Sequence, residues 1–200
     1  MATPRGNPYI WVTWLSSLMS GDNPCQWQPW FRANHQLATE QPSDFDLIGW
    51  KMNHTRMLIE LADELDRREG ALIRTEVELK HDFERLHGTL AGKADLICRE
   101  PDAITVIDCK TGKERDSDKV QVMIYMWMMS KTAYWAEKPI RGEVAYSNTR
   151  VPIEKLPNDF EDNLNYFIKL LCRKKPPRTT TGSACKFCKI TKGDCPDRVD

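Results

Sequence analysis

The sequence has no excess of charge of either sign, because 29 lysine and arginine residues balance 29 aspartate and glutamate residues. This balance does not indicate a nucleic-acid-binding protein, although acidic residues gathered at one site can offset basic patches elsewhere. The sequence also lacks an apolar run long enough to cross a bilayer, and its first residues are not typical of a signal peptide. We therefore expect a cytoplasmic protein without a membrane partner.

Cysteine, by contrast, is abundant, with seven residues in a chain of 200. Cytoplasmic thiols stay reduced, so this odd number favours ligation of a metal or a cluster over a disulfide framework. The length and the 40% content of hydrophobic residues suit one domain with a core of its own.

The middle of the chain has the clearest strand pattern. Two apolar runs, residues 94–98 and 103–107, flank a Glu-Pro-Asp turn sequence, and this arrangement predicts a β-hairpin. Side chains alternate along a strand, so Asp108 and Lys110 share the face of the apolar residues Ile104 and Val106. The second strand of the hairpin therefore ends in an acid and a lysine, side by side.

Charged groups on a half-buried sheet are costly unless they are paired or bind a metal. Asp95 interrupts the first apolar run, and two neighbouring carboxylates repel each other. A hard divalent cation such as Mg²⁺ or Mn²⁺ would relieve that repulsion at Asp95 and Asp108. A plain salt bridge between Asp108 and Lys110 at the strand end is the alternative.

Hydrophobic periodicity predicts an α/β domain from the remaining elements. We expect helices over residues 9–19, 45–68 and 157–172, a helix capped by Ser117 or Asp118 that runs to about residue 130, and strands over residues 71–80 and 142–147. The helix over residues 45–68 carries an apolar stripe, which consists of Leu47, Ile48, Met52, Leu58, Ile59, Ala62 and Leu65.

Three motifs, in this order, resemble those of the RecB-type PD-(D/E)XK nucleases. Gly92-Lys93-Ala94-Asp95 is similar to G-x-x-D, Asp108-Cys109-Lys110 to (D/E)-x-K, and Gln121 with Tyr125 to Q-x-x-x-Y. The resemblance implies a restriction-endonuclease-like core with a mixed central sheet flanked by helices. It also implies the catalytic residues Asp95, Asp108, Lys110, Gln121 and Tyr125.

The same resemblance implies a site for Mn²⁺ or Mg²⁺. Its ligands would be His54, Asp95, Asp108 and the main-chain carbonyl of Cys109, although a lone helical histidine is more often an ordinary surface or core residue. Lys110 would orient the attacking water or offset charge in the transition state. Gln121 and Tyr125 would hold the phosphate or the lysine.

Glu76, on the first predicted strand, is a further candidate near the metal. The alternative is that Glu76 belongs to a solvated outer face of the sheet, together with Glu78.

The C-terminal cysteines form a second pattern. Cys185-x-x-Cys188 places two thiolates on one turn, and Cys195 precedes a proline, as in ferredoxin-type ligation. A zinc site completed by a histidine is the generic solution for three cysteines. Resemblance to the CRISPR-associated RecB-like exonucleases implies instead a [4Fe–4S] cluster held by Cys25 and these three residues, with Cys172 as the competing fourth ligand. The six-residue gap before Cys195 differs from the usual five.

The resemblance implies one nuclease domain over residues 1–200. Residues 1–44 and 173–200 would form the cluster-binding part, and residues 45–172 the PD-(D/E)XK core. The implied activity is that of a DNA exonuclease on single-stranded ends, in CRISPR spacer-precursor processing with an integrase complex or in recombination. The alternative is a catalytically silent DNA-binding or scaffold module that keeps the fold and the cluster, and the presence of both acids and the lysine argues against it.

Overall fold

The computed structural model describes residues 1–42 and 45–199 of the chain. In these ranges the β-strands are β1 (Thr3–Pro4), β2 (Tyr9–Trp11), β3 (His35–Gln36), β4 (Leu72–Phe83), β5 (Gly88–Arg99), β6 (Ile104–Lys110), β7 (Ile140–Tyr146) and β8 (Arg150–Ile153). The α-helices are α1 (Val12–Met19), α2 (Trp27–Asn34), α3 (Leu47–Asp66), α4 (Asp116–Ser130) and α5 (Phe160–Cys172).

Six of these strands form a mixed sheet centred on β5. One edge of β5 pairs antiparallel with β4, while its other edge pairs in parallel with β2 and antiparallel with β6. The sheet continues with β7, parallel to β6, and with β8, antiparallel to β7. This topology confirms the predicted α/β fold with a mixed central sheet. Strands β1 and β3 form a separate antiparallel pair.

Helices cover both faces of the sheet. Buried residues of α1, α2, α4 and α5 form one large core with the first face. The second face is covered by α3, whose Leu58, Leu61 and Leu65 pack against Leu96 and Ile107. Burial of each such aliphatic side chain contributes roughly 1.5–3 kcal/mol.

The hairpin predicted in the middle of the chain is confirmed. Strands β5 and β6 pair from Leu96 opposite Ile107 to Arg99 opposite Ile104. The Glu100 N–H donates to the Ala103 carbonyl and closes the turn.

The prediction of one helix over residues 9–19 is wrong at its start. Residues Tyr9–Trp11 form β2 and pair with β5 from Thr89 to Ala91, and the helix begins only at Val12. Aromatic and β-branched residues suit a strand as well as a helix face, so the open edge of β5 decides their conformation.

The predicted apolar stripe of α3 is also wrong in part. Leu58 and Leu65 are buried, but Ile48, Met52 and Ile59 are exposed. The sheet contacts only one side of this helix, and a stripe that extends too far around the helix cannot be buried by it.

The prediction that Ser117 or Asp118 caps α4 from the N-cap position is wrong. Arg115 occupies the N-cap position, and the Asp118 carboxylate accepts a hydrogen bond from its N–H at 3.1 Å. Asp118 therefore caps the helix from inside its first turn.

Strand β4 changes the layer into which its side chains point. Ile73 packs in the core under α3, whereas Leu79, an even number of residues away, packs in the core under α4. Between them Glu76 has a left-handed backbone with φ 52°. This change of face lies beside Asp95, because Thr75 pairs with Leu96 and Val77 with Ala94 on either side.

Among the helices that the structure describes, none combines the length and the apolar character needed to span a membrane.

Candidate active site

The candidate site lies where β5 and β6 separate. On one edge of β5, pairing with β2 ends at Ala91 and pairing with β6 begins at Leu96. Beyond this point β6 continues beside β7 as far as Lys110. The register that places Leu96 opposite Ile107 brings Asp95 opposite Asp108 at the next position, where the two strands diverge.

Asp95 connects β5 with the helix on the second face. Its Oδ2 accepts a hydrogen bond from the Cys109 N–H at 2.8 Å and lies 3.1 Å from His54 Nε2. The side chains of His54 and Asp95 both keep some contact with solvent. The predicted proximity of His54 to the acids is therefore present in the structure.

Asp108 is 1% exposed and is held from two sides. Its Oδ1 accepts a hydrogen bond from Gln121 Nε2 at 2.7 Å. Its Oδ2 forms an ion pair with Lys110, and among the described residues it has no further partner. Lys110 Nζ also donates to Gln121 Oε1 at 3.1 Å, so one amide bridges the acid and the lysine.

Tyr125 lies one helical turn beyond Gln121 and is 1% exposed. Its hydroxyl donates to the Lys93 carbonyl at 3.0 Å and accepts from Gln121 Nε2 at 3.3 Å. A Cβ added to Gly92 would lie 2.7 Å from Tyr125 Cε1, so the glycine leaves the space that the ring occupies. The first and third motifs therefore interlock through glycine and tyrosine.

The charges of the site are strongly coupled. Burial, together with the charge of Asp95, raises the pKa of Asp108 even though Lys110 opposes the shift. The hydrogen bond with Asp95 raises the pKa of His54. Burial lowers the pKa of Lys110, but its contacts with Asp108 and the charge of Asp118 outweigh that effect and raise it. The two acids thus favour the charged forms of His54 and Lys110.

The donor atoms fit a hard divalent cation. Asp95 and Asp108 offer carboxylate oxygens, and Asp95 Oδ1 accepts no hydrogen bond from residues 1–42 and 45–199. In that part of the chain, no group of three or more His, Cys, Asp or Glu side chains is arranged so that it could hold an ion directly. At this site Asp108 Oδ2 is paired with Lys110.

Glu76 lies on the strand next to Asp95 but is largely exposed. Its carboxylate accepts a hydrogen bond from Lys93 Nζ at 2.7 Å. Lys93, not a residue of the proposed metal site, is therefore the ion-pair partner of Glu76.

Two residues that the sequence patterns did not single out adjoin the site. Asp118 accepts a hydrogen bond from the Tyr146 hydroxyl at 2.9 Å, and its charge raises the pKa of Lys110. Trp50 stacks on His54, with the ring centroids 5.1 Å apart. The only signal for Trp50 in the sequence is its position one helical turn before the candidate ligand His54.

A second group of functional candidates surrounds an open cavity of about 610 Å³. All four predicted cluster ligands line it, namely Cys25, Cys185, Cys188 and Cys195. They are free cysteines, and the Thr180 N–H lies 3.5 Å from Cys25 Sγ. Burial and the neighbouring thiols raise the pKa of Cys188 and Cys195.

The remaining cysteines lie elsewhere. Cys172 packs against Gly88 and does not line the cavity, and burial raises its pKa to about 11. Cys98 and Cys109 are buried strand residues in the core under α3. The described lining of the cavity contains no histidine.

The chain belongs to the PD-(D/E)XK nuclease superfamily, whose sequence profile matches residues 27–192. Membership of this superfamily implies a nuclease with a nucleic-acid substrate and a divalent metal, which the superfamily typically uses. No curated protein matches the chain with significance.

Among solved structures, the chain is similar to one described as "Crystal structure of SSO0001". The TM-score is 0.54 at 16% sequence identity, and the match covers 98% of this chain and 89% of the other. At this identity the likeness concerns the fold alone.

Proposed function

We propose that the protein is a metal-dependent DNA nuclease of the RecB type, acting as an exonuclease on single-stranded ends. One observation carries the proposal: acids from two strands, Asp95 and Asp108, meet where β5 and β6 diverge, beside Lys110 and Gln121. Residues of a structural salt bridge would not require a second acid, an imidazole and an amide at the same point.

The metal ligands in this proposal are His54, Asp95, Asp108 and the carbonyl of Cys109. When bound, Mn²⁺ or Mg²⁺ activates water and polarises the scissile phosphate. An imidazole among carboxylates favours Mn²⁺, because nitrogen is the softer donor. Lys110 has to leave Asp108 Oδ2 for a cation to reach that oxygen, which frees the ammonium to contact the phosphate.

The other residues follow from their hydrogen bonds. Lys110 is the cation that offsets developing charge on the phosphate. Gln121 holds Lys110 and Asp108 in place, and Tyr125 holds Gln121. Glu76 enters the site only if its contact with Lys93 is released.

We further propose that the cysteine-lined cavity binds a [4Fe–4S] cluster through Cys25, Cys185, Cys188 and Cys195. These four residues line one cavity, whose described lining includes neither Cys172 nor a histidine, and this supports four thiolate ligands over a Cys₃His zinc site. A Cys₄ zinc site has the same ligands and differs in colour and metal content. The cluster would have a structural role, since it joins the two ends of the chain.

In this proposal the biological setting is that of the CRISPR-associated RecB-like exonucleases. The nuclease would trim spacer precursors in company with an integrase complex, or would act in recombination. This step rests on resemblance between families, and the site chemistry is independent of it.

Cleavage of end-labelled single-stranded DNA tests the catalytic part. With Mn²⁺ or Mg²⁺ the wild type should cut, and Asp108→Ala or Lys110→Ala should slow cleavage at least about 100-fold without loss of folding. Asp102→Ala and Lys113→Ala, at exposed positions outside the site, are the matched controls. A wild type that binds DNA but cuts it with neither metal would favour the scaffold function instead.

A further inference from the structure

One face of α3 leads from the candidate metal ligand to an aromatic surface. Trp50, Asn53, His54 and Met57 follow the spacing of three and four residues that places side chains on one side of a helix. His54 reaches Asp95 from this face, and Trp50 lies one turn before it. The side chains next to the site are therefore fixed by the same helix that supplies the imidazole.

A stacking contact fixes the ring of Trp50, yet much of the residue is exposed to solvent. Its ring stacks on that of His54 at 5.1 Å and 28°, and the residue is 40% exposed. Phe45 lies next to it, with the centroids 6.3 Å apart, and is 61% exposed. Trp50 thus keeps part of its surface in water directly beside a candidate metal ligand, and Phe45 lies next to Trp50.

The first turn of α3 holds this arrangement in place. The Asp46 carboxylate caps the helix by accepting the Gly49 N–H at 2.9 Å. A Cβ on Gly49 would lie 2.3 Å from that carboxylate, so the glycine permits the cap. Trp50 follows immediately and is held by a capped helix rather than by a loose end.

On the other side of the imidazole, an open cleft of about 710 Å³ runs between α3 and the turn that joins β7 to β8. From the helix it is lined by Asn53, Arg56 and the acids Glu60 and Glu64, and from the turn by Ser147 and Thr149, while Arg150 offsets Glu64 through an ion pair. Thr111, the residue after Lys110, also lines it. Arg56 donates to Asn53 and forms no ion pair with a described residue, which leaves its charge for a ligand.

We propose that Trp50, flanked by Phe45, is a stacking platform for one unpaired base of a nucleic-acid strand whose phosphate lies at Asp95 and Asp108. The proposal rests on the proposed function and adds to it the side chain that would hold a base of the substrate. The backbone of the strand would continue into the cleft past Asn53 and Arg56.

The chemistry of the surface selects this ligand. Every base has an aromatic face, so an indole binds bases without regard to sequence, whereas hydroxyl, amide and guanidinium groups suit a phosphate backbone. Bases within a duplex already stack on each other and cannot cover Trp50. A platform next to the reacting phosphate therefore favours single strands and frayed ends over intact duplex.

Binding without cleavage tests the platform separately from the nuclease activity. In an Asp108→Ala background, fluorescence anisotropy compares a short labelled oligothymidylate with an abasic chain of the same length. Trp50→Ala should weaken binding of the oligothymidylate about tenfold, the loss expected for one stacked base. It should leave binding of the abasic chain unchanged, and Trp50→Phe should recover most of the affinity.

Tyr166→Ala is the control, because Tyr166 is a 57% exposed aromatic residue on α5, which packs on the opposite face of the sheet from α3. Thermal unfolding of each variant checks that the helix is intact. Three outcomes would each overturn the platform. Trp50→Ala could bind the oligothymidylate as tightly as its parent, it could lose equal affinity for the oligothymidylate and the abasic chain, or the parent could fail to bind the oligothymidylate. The activity of the wild type is judged in the cleavage assay, so failure of the nuclease function is seen independently.

Discussion

At the scale of single residues, the site depends on one amide. Gln121 donates to Asp108 and accepts from Lys110, so its two ends are matched to an acid and a cation. The sequence predicted that Gln121 and Tyr125 hold the phosphate or the lysine. The hydrogen bonds favour the lysine, because Tyr125 is buried and its hydroxyl contacts only Gln121 and the Lys93 carbonyl among the described residues.

The substitution Tyr125→Phe removes the hydroxyl and keeps the aromatic ring, so it tests the two parts of the side chain separately. We expect the free energy of unfolding to fall by about 1 kcal/mol, the usual net value of one hydrogen bond. Cleavage should fall far less than in Asp108→Ala, since the phenyl ring still supports Gln121. Chemical denaturation and a cleavage time course measure the two effects. Loss of cleavage equal to that of Asp108→Ala would give the hydroxyl a direct role in the reaction.

At the scale of elements, the site depends on the fit between β5 and α4. Gly92 lets Tyr125 and Val12 approach the strand, so the glycine of the first motif has a packing function. Pairing of β5 with β6 stops where Asp95 and Asp108 face each other, and this divergence leaves the Cys109 N–H for Asp95. The residues of the three motifs therefore contact one another between elements, which is why the motifs occur together.

Gly92→Ala should disturb both the fold and the site. The new Cβ would lie 2.7 Å from both Tyr125 Cε1 and Val12 Cγ2, and overpacking of this kind costs about 1–3 kcal/mol. We expect a lower unfolding midpoint and slower cleavage at temperatures where the variant is still folded.

Gly6→Ala is the control for this change, since a Cβ there meets no described atom within 4 Å. A Gly92→Ala variant as stable and as active as the wild type would contradict the interlocking of the two motifs.

At the scale of the whole molecule, the two ends of the chain meet. Besides the four cysteines at one cavity, the Ala2 N–H donates to Asp194 at 2.8 Å and the Gln41 N–H to the Lys189 carbonyl at 2.8 Å. A cluster at this point would cross-link most of the chain, and the cost of closing a loop grows only slowly with its length. Its loss should therefore reduce stability before it affects chemistry.

Cys25→Ala tests this tether. After anaerobic purification we expect the wild type to contain iron and sulfide and to absorb visible light, and the variant to lose both along with thermal stability. Cys172→Ala, which also removes a half-buried thiol, should keep the metal content. Equal metal content in wild type and Cys25→Ala would remove Cys25 from the ligands, and a colourless wild type containing zinc would replace the cluster by a zinc site.

Local pattern explains which predictions succeed. The hairpin around Glu100 and the strand ending in Asp108 and Lys110 each show their period within a few residues. The strand assigned to residues 71–80 was found as well, although it continues to Phe83.

The failures have a different physical origin. Whether Tyr9–Trp11 becomes strand or helix depends on an edge of β5 about 80 residues away in sequence. The exposed side of α3 depends on how much of the helix the sheet covers, and the change of face at Glu76 depends on a left-handed backbone that no periodicity predicts.

The amino-acid sequence by itself determined the set of chemical groups: two acids, a lysine, an amide and four cysteines. Only the tertiary structure decided their grouping, namely which acid meets His54, that Lys110 holds Asp108, and that Cys172 lies apart from the other cysteines. The physical reason is that periodicity records the faces of each element, whereas strand pairing and helix packing, which join distant segments, decide which faces meet.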